Sequence, residues 1–150
     1  MRLLGLQVLL VEDDVDNLEL LGAYLEAEGA RPLSAGSISA ALAISAGQAL
    51  DILVSDLELS DGDACTLLAK LRERDSSTAM PAIAISGYSD LKRRAKAADC
   101  GFDRYFVKPF ALDQLVSSIA ELSRAGASNV ADETSRHAVA GQGARALPRR

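Results

Sequence analysis

Ile52-Leu53-Val54-Ser55-Asp56 is a short apolar run that closes on a carboxylate. A second run of the same kind, Gln7-Val8-Leu9-Leu10-Val11, closes on three, Glu12-Asp13-Asp14. Runs this short and this apolar suit buried strands of a parallel sheet, although periodicity alone does not separate them from buried helix segments. Laid side by side as parallel strands, they bring their carboxyl ends to one edge, where open α/β sheets bind their ligands. At least three carboxylates then crowd one crevice. At about 4–5 Å and an effective dielectric of about 20, each ionised pair repels by roughly 3–4 kcal/mol. Such a cluster either takes up a proton or holds a cation. Oxygen donors with room left for water select a divalent ion such as Mg2+.

Outward from these runs the pattern alternates. Leu18, Leu21 and Leu25 recur at helical spacing between Asp14 and Glu28, with Asp14 and Asp16 at the helix start and Gly29 at its stop. A weak strand, Arg31 to Ala35, leads into an Ala-rich helix from Ser39 to Gln48. After the strand Asp51 to Ser55 and its Asp56, a polar loop Ser60-Asp61-Gly62-Asp63 opens a helix carrying Leu67, Leu68 and Leu71. Pro81 restarts the chain into the strand Ala82 to Ile85, closed by Ser86-Gly87. A basic helix, Asp90 to Ala98, ends at Cys100-Gly101; the last strand, Arg104 to Val107, stops at Lys108-Pro109; a final helix runs from Leu112 to Leu122. Five strands alternating with five helices call for a parallel sheet covered on both faces. No internal repeat is present.

Composition sets the outer limits. The chain has 150 residues, enough for one domain with a proper core, and its 49% apolar and 25% charged content is that of an ordinary globular chain. Net charge is −5, which disfavours nucleic acid as a direct partner. Residues 126–150 hold four Arg against two acids, or +2, which leaves the first 125 residues at −7. That last segment is Ala, Gly, Ser and Arg with almost no large apolar side chain, so it reads as a flexible tail behind a domain of residues 1–125. The apolar start, Met1 to Val11, lacks a signal-peptide cleavage site and reads as a core strand; no stretch is apolar for long enough to span a bilayer.

Cys65 and Cys100 show no metal-type spacing and fall in helical patterns, so they read as buried free thiols of a cytoplasmic protein. The single histidine, His137, lies in the tail. Its isolation argues against a Ser-His-Asp triad, a His-containing zinc site or a phosphohistidine carrier in the folded part. Any phosphohistidine belongs to a partner.

Taken in order, Glu12-Asp13 after the first strand, Asp56 after the third, Ser86 after the fourth and Lys108-Pro109-Phe110 after the fifth resemble the receiver domain of bacterial two-component response regulators. The resemblance covers about residues 6–124. Each motif is weak alone; the four in order, each at a strand end, are specific. The resemblance implies a doubly wound, flavodoxin-like sheet of strand order 2-1-3-4-5. It implies that Asp56 accepts a phosphoryl group as a nucleophile. It also implies that Glu12 and Asp13 hold Mg2+, with Asp13 the direct ligand, and that Glu58 offers the metal its backbone carbonyl. Lys108 and the metal then neutralise the phosphoryl oxygens. Ser86 hydrogen-bonds the bound phosphoryl group, Tyr105 is the aromatic switch that turns inward with it, and the Lys108-Pro109 bond is cis.

Three positions depart from the commoner pattern: Glu12 in place of Asp, Ser60 where proline is frequent, and Ala64 where glycine is frequent. Glu58 and Tyr88 occupy the variable positions that tune phosphate lifetime. Helix capping accounts for Asp14 and Asp16 but not for Asp13 and Asp56. Taken alone, Ser86, Lys108 and Tyr105 are an ordinary loop serine, a surface lysine and a packing aromatic. The run Lys92-Arg93-Arg94-Lys96 reads as a solvated face or as a surface for an acidic partner.

The expected protein is therefore a stand-alone phosphoacceptor. It takes its phosphoryl group from a sensor histidine kinase or a histidine phosphotransfer protein, and it signals to a downstream protein as a monomer or a phosphorylation-dependent dimer. It catalyses only its own phosphorylation and dephosphorylation and engages no nucleic acid or membrane. Three rivals remain: an unphosphorylated receiver-like binding module, an aspartyl-phosphate hydrolase using Glu58 as its second acid, and a flavodoxin-like FMN or nucleotide binder. The last should carry a glycine- or hydroxyl-rich loop where this chain has Glu12-Asp13-Asp14.

Overall fold

In the computed structural model, which describes residues 1–74, 79–127 and 144–146, the alternation holds along the chain. The first half is β1 (Gln7–Val11), α1 (Val15–Ala27), β2 (Arg31–Ala35), α2 (Ile38–Ile44) and β3 (Ile52–Asp56). A small hairpin of β4 (Glu58–Leu59) and β5 (Gly62–Asp63) precedes α3 (Ala64–Arg74). Then come β6 (Ala82–Ser86), α4 (Leu91–Cys100), β7 (Arg104–Val107), α5 (Leu112–Ala127) and β8 (Ala144–Ala146). The sheet order is β2-β1-β3-β6-β7-β8, parallel throughout except for the antiparallel β7–β8 pair. Its five parallel strands are therefore the doubly wound 2-1-3-4-5 arrangement.

Strand alternation sorts the core into two layers. Val8, Leu10, Ile52, Val54, Ile83, Ile85 and Phe106 face α1 and α5, packing on Leu21, Leu25, Leu115, Val116 and Ile119. Leu9, Val11, Leu53, Ala82, Ala84 and Tyr105 face the other way, onto α2, α3 and α4. Helix ends are set locally. Asp14 caps α1 by accepting from Asn17 N–H at 3.0 Å, and Gly101 ends α4 at a φ of 111°, a conformation that glycine adopts without steric cost.

The structure departs from the sequence reading in three places. The loop after Asp56 is not featureless: Gly62, at a φ of 145°, turns it into the β4–β5 hairpin, and Asp61 accepts from Ile38 N–H and Ser39 N–H at 2.9 and 3.1 Å to cap α2. Ala144–Ala146, inside the segment expected to be a flexible tail, pairs with Arg104, Tyr105 and Phe106 on the open edge of β7. The rest of residues 128–150, His137 included, lies outside the described residues. Finally, Cys65 and Cys100 are bonded to each other, with Cα atoms 5.6 Å apart, and are not free thiols. A separation of 35 residues gives no hint that the start of α3 and the end of α4 meet across the sheet face.

Candidate functional site

β1 and β3 are adjacent and parallel, with Val11 opposite Ser55, so Glu12 and Asp56 leave the sheet side by side. Oxygens of Glu12, Asp13 and Asp56 all lie within 4.8 Å of one another. Glu12 and Asp56 are buried, at 2% and 7% exposure, while Asp13 stands in solvent. From the end of β7, Lys108 reaches both buried carboxylates: its Nζ donates to Glu12 Oε1 at 2.8 Å and sits 3.1 Å from Asp56 Oδ1. The backbone that aims it is anchored by Lys108 N–H, which donates to Ser86 C=O at 2.9 Å. The Lys108-Pro109 bond is cis.

The electrostatics of this trio are uneven. Burial, then the adjacent Glu12, push the Asp56 carboxyl up to about 8, against the pull of Lys108. Burial also works against the charge on Glu12, but its hydrogen bonds with Asp56, Lys108 and Asp14 N–H prevail and hold it down to about 2. Lys108 is raised: burial opposes its charge, and the contacts to Glu12 and Asp56 outweigh it. Without a cation, then, the Glu12–Asp56 pair favours keeping a proton between them. Asp56 Oδ1 is buried and, among the described residues, accepts no aligned hydrogen bond. An acidic oxygen in that condition, beside one buried and one exposed carboxylate, fits a hard divalent ion that keeps part of its water shell.

Ser86 ends β6 next to Val107 of β7, and is 5% exposed. Its Oγ accepts from Tyr88 N–H at 3.1 Å. Tyr105, in the middle of β7, is fully buried, and its hydroxyl donates to Tyr88 C=O at 2.6 Å. Both residues assigned to a switch therefore grip the backbone of one residue, Tyr88. Tyr105 is thus turned inward in this structure. Glu58 opens the hairpin beyond Asp56, and its carboxylate is turned outward onto Arg93 at 3.4 Å.

Sequence reasoning missed Arg93 as a part of this site. Its guanidinium bonds Asp90 at 2.9 Å and Glu58 at 3.4 Å and lies 3.9 Å from the centre of the Tyr88 ring, so it ties Glu58 to Tyr88. Arg94 sits over the Tyr105 ring at 4.7 Å, and Lys96 pairs with Asp63 at 2.8 Å. The basic run is thus largely engaged within the molecule. The only signal in the sequence was the run itself.

Comparison with known proteins agrees with this geometry. The family described as response regulator receiver domain matches residues 8–120. A 14.6 kDa protein of Leptolyngbya boryana is 34% identical over 104 residues, which cover 69% of this chain and 79% of that one. The transcriptional regulatory protein AruR of Pseudomonas aeruginosa is 37% identical over 123 residues, 79% of this chain but 49% of the relative. The chain spans about half the length of that and the other transcriptional regulators it matches. Among solved structures, a CheY-like response regulator receiver domain protein from Methanospirillum hungatei superposes with a TM-score of 0.75 at 25% identity, covering 83% of this chain and 98% of the other. With the acidic crevice, the lysine and the doubly wound sheet all in their places, the chain belongs to the response regulator receiver domain family.

Proposed function

We propose that this receiver is a phosphoacceptor that takes a phosphoryl group onto Asp56 from a partner's phosphohistidine, on a sensor histidine kinase or a histidine phosphotransfer protein. The observation that carries the reading is Lys108 bridging two buried carboxylates beside a third, exposed one. Glu12, Asp13 and Asp56, with the backbone carbonyl of Glu58, would hold Mg2+, which supplies charge neutralisation for the carboxylates and the incoming phosphoryl oxygens. Asp56 Oδ attacks phosphorus, the histidine nitrogen leaves, and the carboxylate becomes an acyl phosphate. Lys108, already charged and aimed, stabilises the oxygens that gain charge in transit.

Phosphorylation adds about −1.5 to −2 charge at the end of β3. Ser86 Oγ is the nearby hydroxyl able to donate to it, and since the same oxygen accepts from Tyr88 N–H, a shift of Ser86 toward the phosphoryl group pulls on Tyr88. Tyr88 is also the residue whose carbonyl holds Tyr105, so the change passes to β7 and to the neighbouring α4. The output is contact with a downstream protein, as a monomer or a phosphorylation-dependent dimer, in the cytoplasm. Glu58, drawn out onto Arg93, gives no support to a hydrolase that needs it as a second acid.

The test is intact mass after incubation with Mg2+ and acetyl phosphate. One added phosphoryl group that is absent in Asp56→Asn and prevented by EDTA supports the reading. No adduct, together with no binding of beryllofluoride, would leave an unphosphorylated binding module.

A further inference from the structure

The Cys65–Cys100 bond joins α3 to α4, which also meet where Arg72 of α3 donates to the C=O of Gly101, the cap of α4, at 3.0 Å. α4 buries only Ala97 and Ala98 fully, whereas α3 buries Leu67, Leu68 and Leu71 and α5 buries Leu115, Val116 and Ile119. Its polar ties to the site, Lys96 to Asp63 and Arg93 to Glu58, are exposed ion pairs, a class that contributes little. Cys65 lies at the second position of α3 and Cys100 at the last of α4, so their bond is the only covalent tie between those helices besides the chain itself. Both cysteines are half-buried and line a shallow surface groove with Lys92, Ala95, Lys96 and Asp99.

We propose that Cys65 and Cys100 form a reversible thiol–disulfide site that responds to low-molecular-weight disulfides and, when oxidised, latches α4 to α3. The groove gives a small oxidant access. Cys65 sits in the first turn of α3, where a helix N-terminus suits an attacking sulfur, and it shares the groove with Lys92 as well as with Asp99. The Cys65 thiolate displaces one small thiolate from the oxidant, forming a mixed disulfide. The Cys100 thiolate then attacks the Cys65 sulfur, the protein disulfide closes, and the second small thiolate leaves. Two cysteines lose two electrons, the oxidant gains them, and both protons end on the released thiols. Where the surroundings are reducing, disulfides of this kind are usually transient and sensing rather than structural. The site stands whether or not Asp56 is phosphorylated.

The experiment compares the full chain equilibrated with oxidised glutathione and with dithiothreitol. The oxidised protein should be about 2 Da lighter, resist alkylation and yield a Cys65–Cys100 cross-linked peptide. Amides of residues 91–101 should exchange about tenfold slower than in the reduced protein, with α1 unchanged. Cys65→Ser and Cys100→Ser should each abolish the difference, and either alone suffices if the other folds poorly. A stable glutathione adduct, a disulfide-linked dimer or two alkylated cysteines after oxidation would overturn the proposal. So would equal α4 exchange in the two states.

Discussion

At the amino ends of β6 and β7, Arg104 is 5% exposed and gives hydrogen bonds to Ser118 and Glu121, both at 3.3 Å, while Asp103 accepts from Ala82 N–H at 2.9 Å. At the carboxyl ends of β1 and β3, Asp56 is just as buried, yet it faces a second carboxylate and has an oxygen without an aligned donor. The same sheet thus carries one polar cluster whose charges are matched and one whose charges are in conflict. Matched buried charges hold a fold; conflicting ones are kept where something else is to bind. The contrast predicts mutational effects of opposite sign. Arg104→Met strands Glu121 and Ser118 and should lower stability by about 2–3 kcal/mol, less than for a fully buried pair because Glu121 is partly solvated. Asp56→Asn removes the conflict and should leave stability unchanged or raised at pH 8 in EDTA. Urea denaturation of both variants decides it. Equal losses would mean that the two ends are not different in kind.

The pH dependence sharpens the same contrast. Asp56 has its carboxyl raised from an ordinary 3.8 to about 8, so between those values the folded chain keeps a proton that the unfolded chain has lost. Stability therefore falls as pH rises through that window. Glu12 acts lower down: its stabilising contribution is present above about 4.5 and is lost as pH falls toward 2. In EDTA, stability should decline by about 2 kcal/mol from pH 4.5 to 8, less than the full shift would give because the neighbouring groups readjust. Asp56→Asn should flatten the slope. Saturating Mg2+ should flatten it too, since a divalent ion takes the proton's place. A wild-type slope unaffected by either would mean that Asp56 ionises normally.

Legibility followed chain locality. The apolar runs that end in Glu12-Asp13 and Asp56 exposed both the strands and the crevice, because strand ends and their neighbours are contiguous in sequence. The crevice needed only one inference of adjacency, that β1 and β3 pair in parallel, and the register bears it out. What could not be read depends on two distant segments meeting. The disulfide needs the start of α3 and the end of α4 to lie 5.6 Å apart at their Cα atoms. The outward turn of Glu58 needs Arg93, 35 residues on, to be in reach. Even Tyr105, whose place on β7 was clear, took its inward position from a carbonyl in the loop before α4. Tyr105→Phe should therefore cost only about 1 kcal/mol in stability, the value of one hydrogen bond, while loosening the loop of residues 87–90 in hydrogen exchange. Unchanged exchange there would separate Tyr105 from the loop.

The smallest loss of stability expected on removing a charged side chain is at Arg93, and it carries the comparison furthest. Its ion pairs with Asp90 and Glu58 are exposed and its ring contact lies at the surface, so Arg93→Ala should leave stability almost unchanged. The side chain nevertheless spans Glu58 and Tyr88, the two positions expected to tune the phosphate lifetime. Removing it frees both from a common partner and opens the approach to Asp56 for water. The aspartyl phosphate should then hydrolyse at least about twofold faster, a change that needs only about 0.4 kcal/mol in the barrier. Decay of the phosphorylated species, followed by intact mass in wild type and Arg93→Ala, reads this directly. If the lifetimes match while stability also matches, Arg93 is an ordinary solvated arginine. If only the lifetime moves, the carboxyl end of the sheet has a rim that governs chemistry at almost no expense to the fold, the inverse of Arg104 at the other end.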